Sequence, residues 1–159
     1  MTIAVRLQRY LDSQGVSYDA IPHPRATTSA GSAHAAHVPG THVAKPVVVH
    51  HEDGYVLAIV PSTHRVELGS LRDILGRHLG LATEAEIDRL FDDCETGAVP
   101  PIGAAYGLPV LVDESLDGAA DLFFEGGDHR TLVHIRGDAF RALTKDARRA
   151  RFSHPAEAM

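Results

Sequence analysis

Apolar residues recur at helical spacing at the start of the chain, where Ile3, Leu7, Tyr10 and Leu11 share a face and Gly15 supplies a stop near Gln14. The stretch VSYDAIPH then alternates as a short strand does. Residues 24–42 combine a turn, a cap at Thr27 or Thr28, and an alanine-rich helix that should stop before Val38-Pro39-Gly40. Two β-branched runs follow, KPVVVHH and GYVLAIVP, and the EDG between them signals a hairpin. After Pro61 the spacing returns to helical in SLRDILGRHLG and in TEAEIDRLF. In the second of these, Thr83 with Glu86 makes a capping box and Ile87, Leu90 and Phe91 share a face. LPVLVDESL, ADLFFEGG and TLVHIRG read as three further strands, and DAFRALT as a closing helix.

The resulting order, αβαββααβββα, has five or six strands and about five short helices, without the regular alternation of a doubly wound sheet. It predicts a mixed α/β fold: a curved, largely antiparallel sheet or partial barrel with helices packed outside. No repeat or low-complexity linker interrupts residues 1–159, so one domain is expected, ending in a short basic tail at about 145–159.

A chain of 159 residues can bury roughly two-thirds of its unfolded surface without disulfides. Its single cysteine excludes an internal disulfide, which makes a reducing cytoplasm the natural setting. MTIAVRLQRYLDSQG carries charges throughout, unlike a signal peptide, and the apolar runs are too short for a bilayer, so a soluble protein without a membrane partner is expected. A formal net charge of −6 argues against sequence-independent binding to nucleic-acid backbone, and DNA is not an expected partner. Charge is also uneven: Glu84 to Asp128 holds twelve acidic residues and one base, Arg89, whereas Arg141, Lys145, Arg148, Arg149 and Arg151 crowd the end. A polyanionic partner should meet the first half or the tail.

Several residues invite chemistry. Cys94 could serve as a nucleophile, but Asp92, Asp93 and Glu95 surround it and it follows a helix carboxyl end, both of which raise a thiol's pKa. A partly buried, unreactive side chain is the competing reading. Eleven histidines, with His34 and His37 at i and i+3 and His23 and His42 flanking, permit a zinc site by spacing. HExxH and any cysteine cluster are absent, and surface histidines are the alternative. The lack of GxSxG, Walker and GxGxxG motifs removes serine hydrolases, P-loop enzymes and dinucleotide oxidoreductases as default readings.

Thirteen of fifteen basic side chains are arginine, so Lys45, opening the apolar run AKPVVV, stands out. It is either a snorkelling strand-end lysine or an enclosed ammonium doing work for which arginine substitutes poorly. In GAVPPIG, Gly97 and Gly103 permit unusual torsions while Pro100 and Pro101 stiffen the segment. This is either a rigid turn or a frame that aims backbone N–H groups at a carbonyl or oxyanion.

Taken in order, HPRATTSAGSAH, AKPVVV, YVLAIVPSTHRVEL, DCETGAVPPIGAAYGLPVLVDESL and FFEGGDHRTLVHI resemble the YbaK/EbsC family, the prolyl-tRNA-synthetase-associated domain, from about residue 20 to 140. The resemblance implies a free-standing deacylase of mischarged aminoacyl-tRNA, without metal or other cofactor, that hydrolyses the ester at the terminal adenosine. The family's lysine falls on Lys45, and its GxxxP substrate loop on Gly97, Ala98, Val99, Pro100 and Pro101, followed by Ile102 and Gly103. The late glycine-histidine element matches Gly127 and His129, with His129 a candidate for orienting water. His64 and Arg65 are candidates to face the tRNA acceptor end, and a synthetase is the expected aid to capture. Pro46 departs from the small polar or amide residue that many relatives carry after the lysine, so the amino acid removed does not transfer from the family.

Overall fold

The computed structural model describes residues 3–156. Five α-helices occur among them: α1 (Val5–Ser13), α2 (Ser29–Ala35), α3 (Leu68–Leu75), α4 (Glu84–Leu90) and α5 (Gly137–Leu143). Local chemistry explains their ends. Thr28 caps α2 by accepting from Gly31 N at 2.9 Å. The expected capping box opens α4, with Thr83 and Glu86 exchanging bonds of 2.9 and 3.2 Å. Gly76, at φ 64°, ends α3 in the left-handed conformation that a side chain would resist.

Ten strands are described where five or six were expected: β1 (Asp19–Pro22), β2 (Ala44–His51), β3 (Gly54–Pro61), β4 (His64–Val66), β5 (Gly80–Leu81), β6 (Val110–Asp113), β7 (Asp121–Glu125), β8 (Thr131–Arg136), β9 (Arg148–Ala150) and β10 (Ser153–Pro155). The predicted hairpin is present as β2–β3, in register from Ala44↔Pro61 to His51↔Gly54. The fold is mixed α/β and mostly antiparallel, and its sheets do not close into a barrel. A central sheet runs β5-β2-β3-β6-β9, parallel where β6 meets β3 and β9. Beside it stand an antiparallel sheet β1-β8-β7 and a ribbon β10-β4.

The basic tail at about 145–159 contributes β9 and β10 to these sheets, and its last three positions lie outside the described residues. Phe152, fully buried, anchors it, and Asp113 Oδ1 accepts from Phe152 N at 2.9 Å. Alternation splits the core between the two faces of the central sheet. On one face Val49, Val56, Ala58 and Val60 pack with Leu71 and Phe152. On the other, Ala44 and Ile59 join α1 and the β1-β8-β7 sheet, and Val48 and Leu57 join Phe91 and Val99.

Candidate active site

Past α4 the chain runs without regular structure from Gly97 to Ile102, then enters a 3-10 turn at Gly103–Tyr106. Gly97 is exposed and holds φ 81°, whereas Ala98, Val99, Pro100, Pro101, Ile102 and Gly103 are buried. The apolar side chains explain why. Val99 packs with Val48 and Leu57, and Ile102 with Ala44 and Ile59, which pins the segment against the central sheet. Ala98 N donates to Glu95 O at 3.0 Å; among the described residues the N–H groups of Gly97, Val99 and Ile102 donate to no protein acceptor. The segment therefore carries spare amides within a stiffened frame, a property of sites that bind carbonyl oxygens or anions.

The β7–β8 connection holds this loop in place. Gly126 O accepts from Ala4 N at 2.8 Å, Gly127 O from Glu95 N at 2.7 Å, His129 O from Ala26 N at 3.1 Å and Arg130 O from His23 N at 2.8 Å. Gly127, at φ 124°, lies so close to Ala4 and Cys94 that a side-chain carbon there would stand 3.2 Å from Ala4 Cβ and 3.6 Å from Cys94 Sγ. His129 is 3 % exposed and adopts φ 60°, a conformation that costs a non-glycine residue about 1 kcal/mol or more. Its Nε2 donates to Thr96 O at 2.5 Å, next to Gly97. His129, the candidate for orienting water, is thus enclosed and engaged with Thr96 O.

Glu125, at the end of β7, is the residue the sequence reading missed. It is 1 % exposed, and its Oε2 lies 3.8 Å from His129 Nδ1. Burial raises its carboxyl to about 7; Ser32 and His129 favour the ionised form and Asp128 opposes it. The Ser32 hydroxyl is near enough to act on it, yet neither Glu125 oxygen, nor Ser32 Oγ, nor His129 Nδ1 completes a hydrogen bond.

Lys45 stands elsewhere. It is half-buried on the sheet face of Val47 and Val49, opposite the face where Val99 and Ile102 pack, and its Nζ donates to His64 O at 3.4 Å. Desolvation, and secondarily the charge of Arg65, lower its pKa. Arg65 is exposed, while His64 Nδ1 lies 2.8 Å from Ser153 Oγ on β10. An isolated parallel bridge, Val43↔Phe123, sets the start of β2 beside β7, and two residues further along these strands come Lys45 and Glu125. Lys45, His64 and Arg65 are brought together, as are the 97–103 loop, Gly127 and His129. The two groups flank the start of β2 from different sides, and among the described residues no hydrogen bond or ion pair joins them. Pro46 follows Lys45 within β2, opposite Ile59.

Cys94 supports the loop from behind. Burial pushes its thiol up to about 12, with Asp93 and Asp92 adding to the effect, and Sγ contacts Asp93 Oδ1 at 3.4 Å and Tyr106 OH at 3.5 Å. At neutral pH the native protein should resist a thiol-directed alkylating reagent that labels it fully once unfolded, and Cys94→Ala should retain most activity. Rapid native labelling, timed by mass spectrometry, would count against that assignment. The candidate pair on α2 does not form as spaced: α2 ends at Ala35, His34 and His37 are both exposed, and His37 lies past the helix end at φ 59°. Among the described residues no three His, Cys, Asp or Glu side chains converge as a ligand set, and no helix is long and apolar enough to cross a membrane.

The family model described as the aminoacyl-tRNA editing domain matches residues 23–143. The fold is similar to that of a protein provisionally assigned as a trans-editing enzyme for prolyl-tRNA synthetase, at TM-score 0.83 and 29 % identity over 95 % of this chain and 96 % of that one. A protein from work on epitope backbone grafting onto scaffold proteins gives TM-score 0.83 and 28 % identity over 95 % and 97 %. The hypothetical protein APE2540 also gives TM-score 0.83, at 20 % identity over 94 % and 99 %, which supports the fold alone. Among curated proteins none matches significantly.

Proposed function

Because the chain belongs to the aminoacyl-tRNA editing domain family, we propose that it is a deacylase that hydrolyses the ester joining a wrong amino acid to the terminal adenosine of tRNA. The observation that carries this reading is the array of unengaged amides at Gly97, Val99 and Ile102, inside the matched segment and held by His129. An aminoacyl ester is already reactive, so the site must chiefly position it and stabilise charge. Water adds to the carbonyl carbon, the oxygen gains negative charge against the loop amides, and the bond to the ribose oxygen breaks as that oxygen takes a proton. The free amino acid and the tRNA's terminal hydroxyl are the products. Lys45, with Arg65 beside it, binds phosphate or ribose oxygens of the acceptor end from the other side of β2. With His129 enclosed, a hydroxyl of the substrate itself is the proton-handling group.

The acidic surface leaves tRNA capture weak and local, a task suited to a synthetase partner. One observation favours a second reading, a module that binds aminoacyl ends without cleaving them: the imidazole nearest the loop is committed to Thr96 O. Purified Ala-, Cys-, Ser- and Thr-charged tRNAs, timed with and without protein, separate the two. Deacylation is expected for at least one species, faster than in buffer by about 100-fold or more. Ester lifetimes that are unchanged or lengthened throughout the panel would overturn the enzymatic reading.

A further inference from the structure

The bond from His129 Nε2 to Thr96 O fixes the chemistry of the imidazole. A carbonyl oxygen only accepts, so Nε2 must carry hydrogen. Nδ1 is then either a bare acceptor or the second N–H of an imidazolium. It faces Glu125 Oε2 at 3.8 Å in a site where neither atom has another partner. A protonated Glu125 can donate to Nδ1, and an ionised Glu125 can accept from imidazolium; both arrangements place one proton between the two groups. Losing that proton leaves two lone pairs facing each other in a buried site, an arrangement that repels. We propose that Glu125 is a positioning residue, which shapes the 97–101 loop through His129 by keeping one proton between its carboxyl and Nδ1.

The surrounding groups fit this role. The titratable groups acting on Glu125 are His129 and Asp128, both from the β7–β8 connection; α2, packed against β7, contributes the uncharged Ser32, and β2, also packed against β7, carries Lys45, whose ammonium bonds His64 O. Burial makes Glu125 hold its proton to about pH 7, more tightly than in the unfolded chain. Stability should therefore fall as pH rises from the ordinary carboxylate range through that point. The loop is reached directly, since a carbon added at Gly97 would stand 3.4 Å from His129 Cε1.

The activity arm of the test rests on the proposed deacylase function; the spectroscopic arm does not. Glu125→Gln supplies a fixed N–H donor to Nδ1, while Glu125→Leu supplies none. In nitrogen-resolved NMR of the wild type, the Gly97 amide and His129 Nδ1 should shift with a shared midpoint as pH rises. In Glu125→Gln neither should titrate, and the pH slope of its melting temperature should flatten. On a tRNA the wild type cleaves, Glu125→Leu should lower kcat by about 10-fold while Glu125→Gln stays near wild type and loses any alkaline fall in rate. A Gly97 amide that ignores the Glu125 titration, or that titrates equally in Glu125→Gln, overturns the proposal. Should the wild type cleave no ester, the deacylase reading fails and the NMR result still decides the role of Glu125.

Discussion

Lys45→Ala should reduce deacylation of a mischarged tRNA by about 100-fold or more, the scale of losing one aimed electrostatic contact in a sheltered site. The fold has little to lose from this change. Lys45 Nζ makes one long bond, to His64 O at 3.4 Å, and the residue's place in β2 is set by pairing with Val60. Its pKa is lowered in the native state, chiefly by desolvation. The unfolded chain therefore binds that proton more tightly, and burying the ammonium opposes folding at neutral pH, a cost that fades as pH rises past the ordinary lysine range. Removing it should leave the melting temperature unchanged or slightly raised. Lys45→Arg should not restore the rate, since a planar, always-charged guanidinium does not reproduce a compact ammonium beside the charge of Arg65. A variant that cleaves within about twofold of wild type would remove Lys45 from the mechanism.

The second large effect is expected at Gly103. A side-chain carbon there would lie 2.5 Å from Leu108 O and 2.5 Å from Val110 Cγ2, and the same turn is closed by Leu108 N donating to Gly103 O at 2.9 Å. Backbone held by its own hydrogen bond cannot step aside cheaply, so Gly103→Ala should cost about 3 kcal/mol and lower the melting temperature by roughly 6–12 °C. Activity should fall further than stability alone explains, because Ile102 and its spare amide shift with the turn. Gly107 provides the control: it has φ 68° but nothing within 4 Å, so Gly107→Ala should cost only about 1 kcal/mol. Equal melting temperatures for the two variants would show that the close approach at Gly103 carries no weight.

What could be read from residues alone was what local chemistry dictates. The β2–β3 hairpin, the caps at Thr28 and Thr83 and the unusual torsion of Gly97 all follow from neighbours in sequence. The extra strands β4, β5, β9 and β10 have two or three residues each, too few to show alternation, and they exist because partners present a free edge. Glu125 was hidden for a different reason. In ADLFFEGG, Leu122 and Phe124 mark the inward face, which should turn Glu125 outward; instead α2 covers that side and buries the carboxyl. His129 was legible as a candidate by resemblance, but its left-handed backbone and its commitment to Thr96 depend on segments distant in the chain.

Pairing between β1 and β8 has a consequence for biosynthesis. Asp19 and His134 meet across 115 intervening steps of chain, and β4 waits for β10 until nearly the last described residue. A polypeptide leaving the ribosome can close the β2–β3 hairpin early, but β1 stays unpaired until Thr131–Arg136 has been made and β4 until Ser153–Pro155 has. During that interval their open edges are available to other nascent chains, so the rate of translation and the supply of chaperones bear on yield.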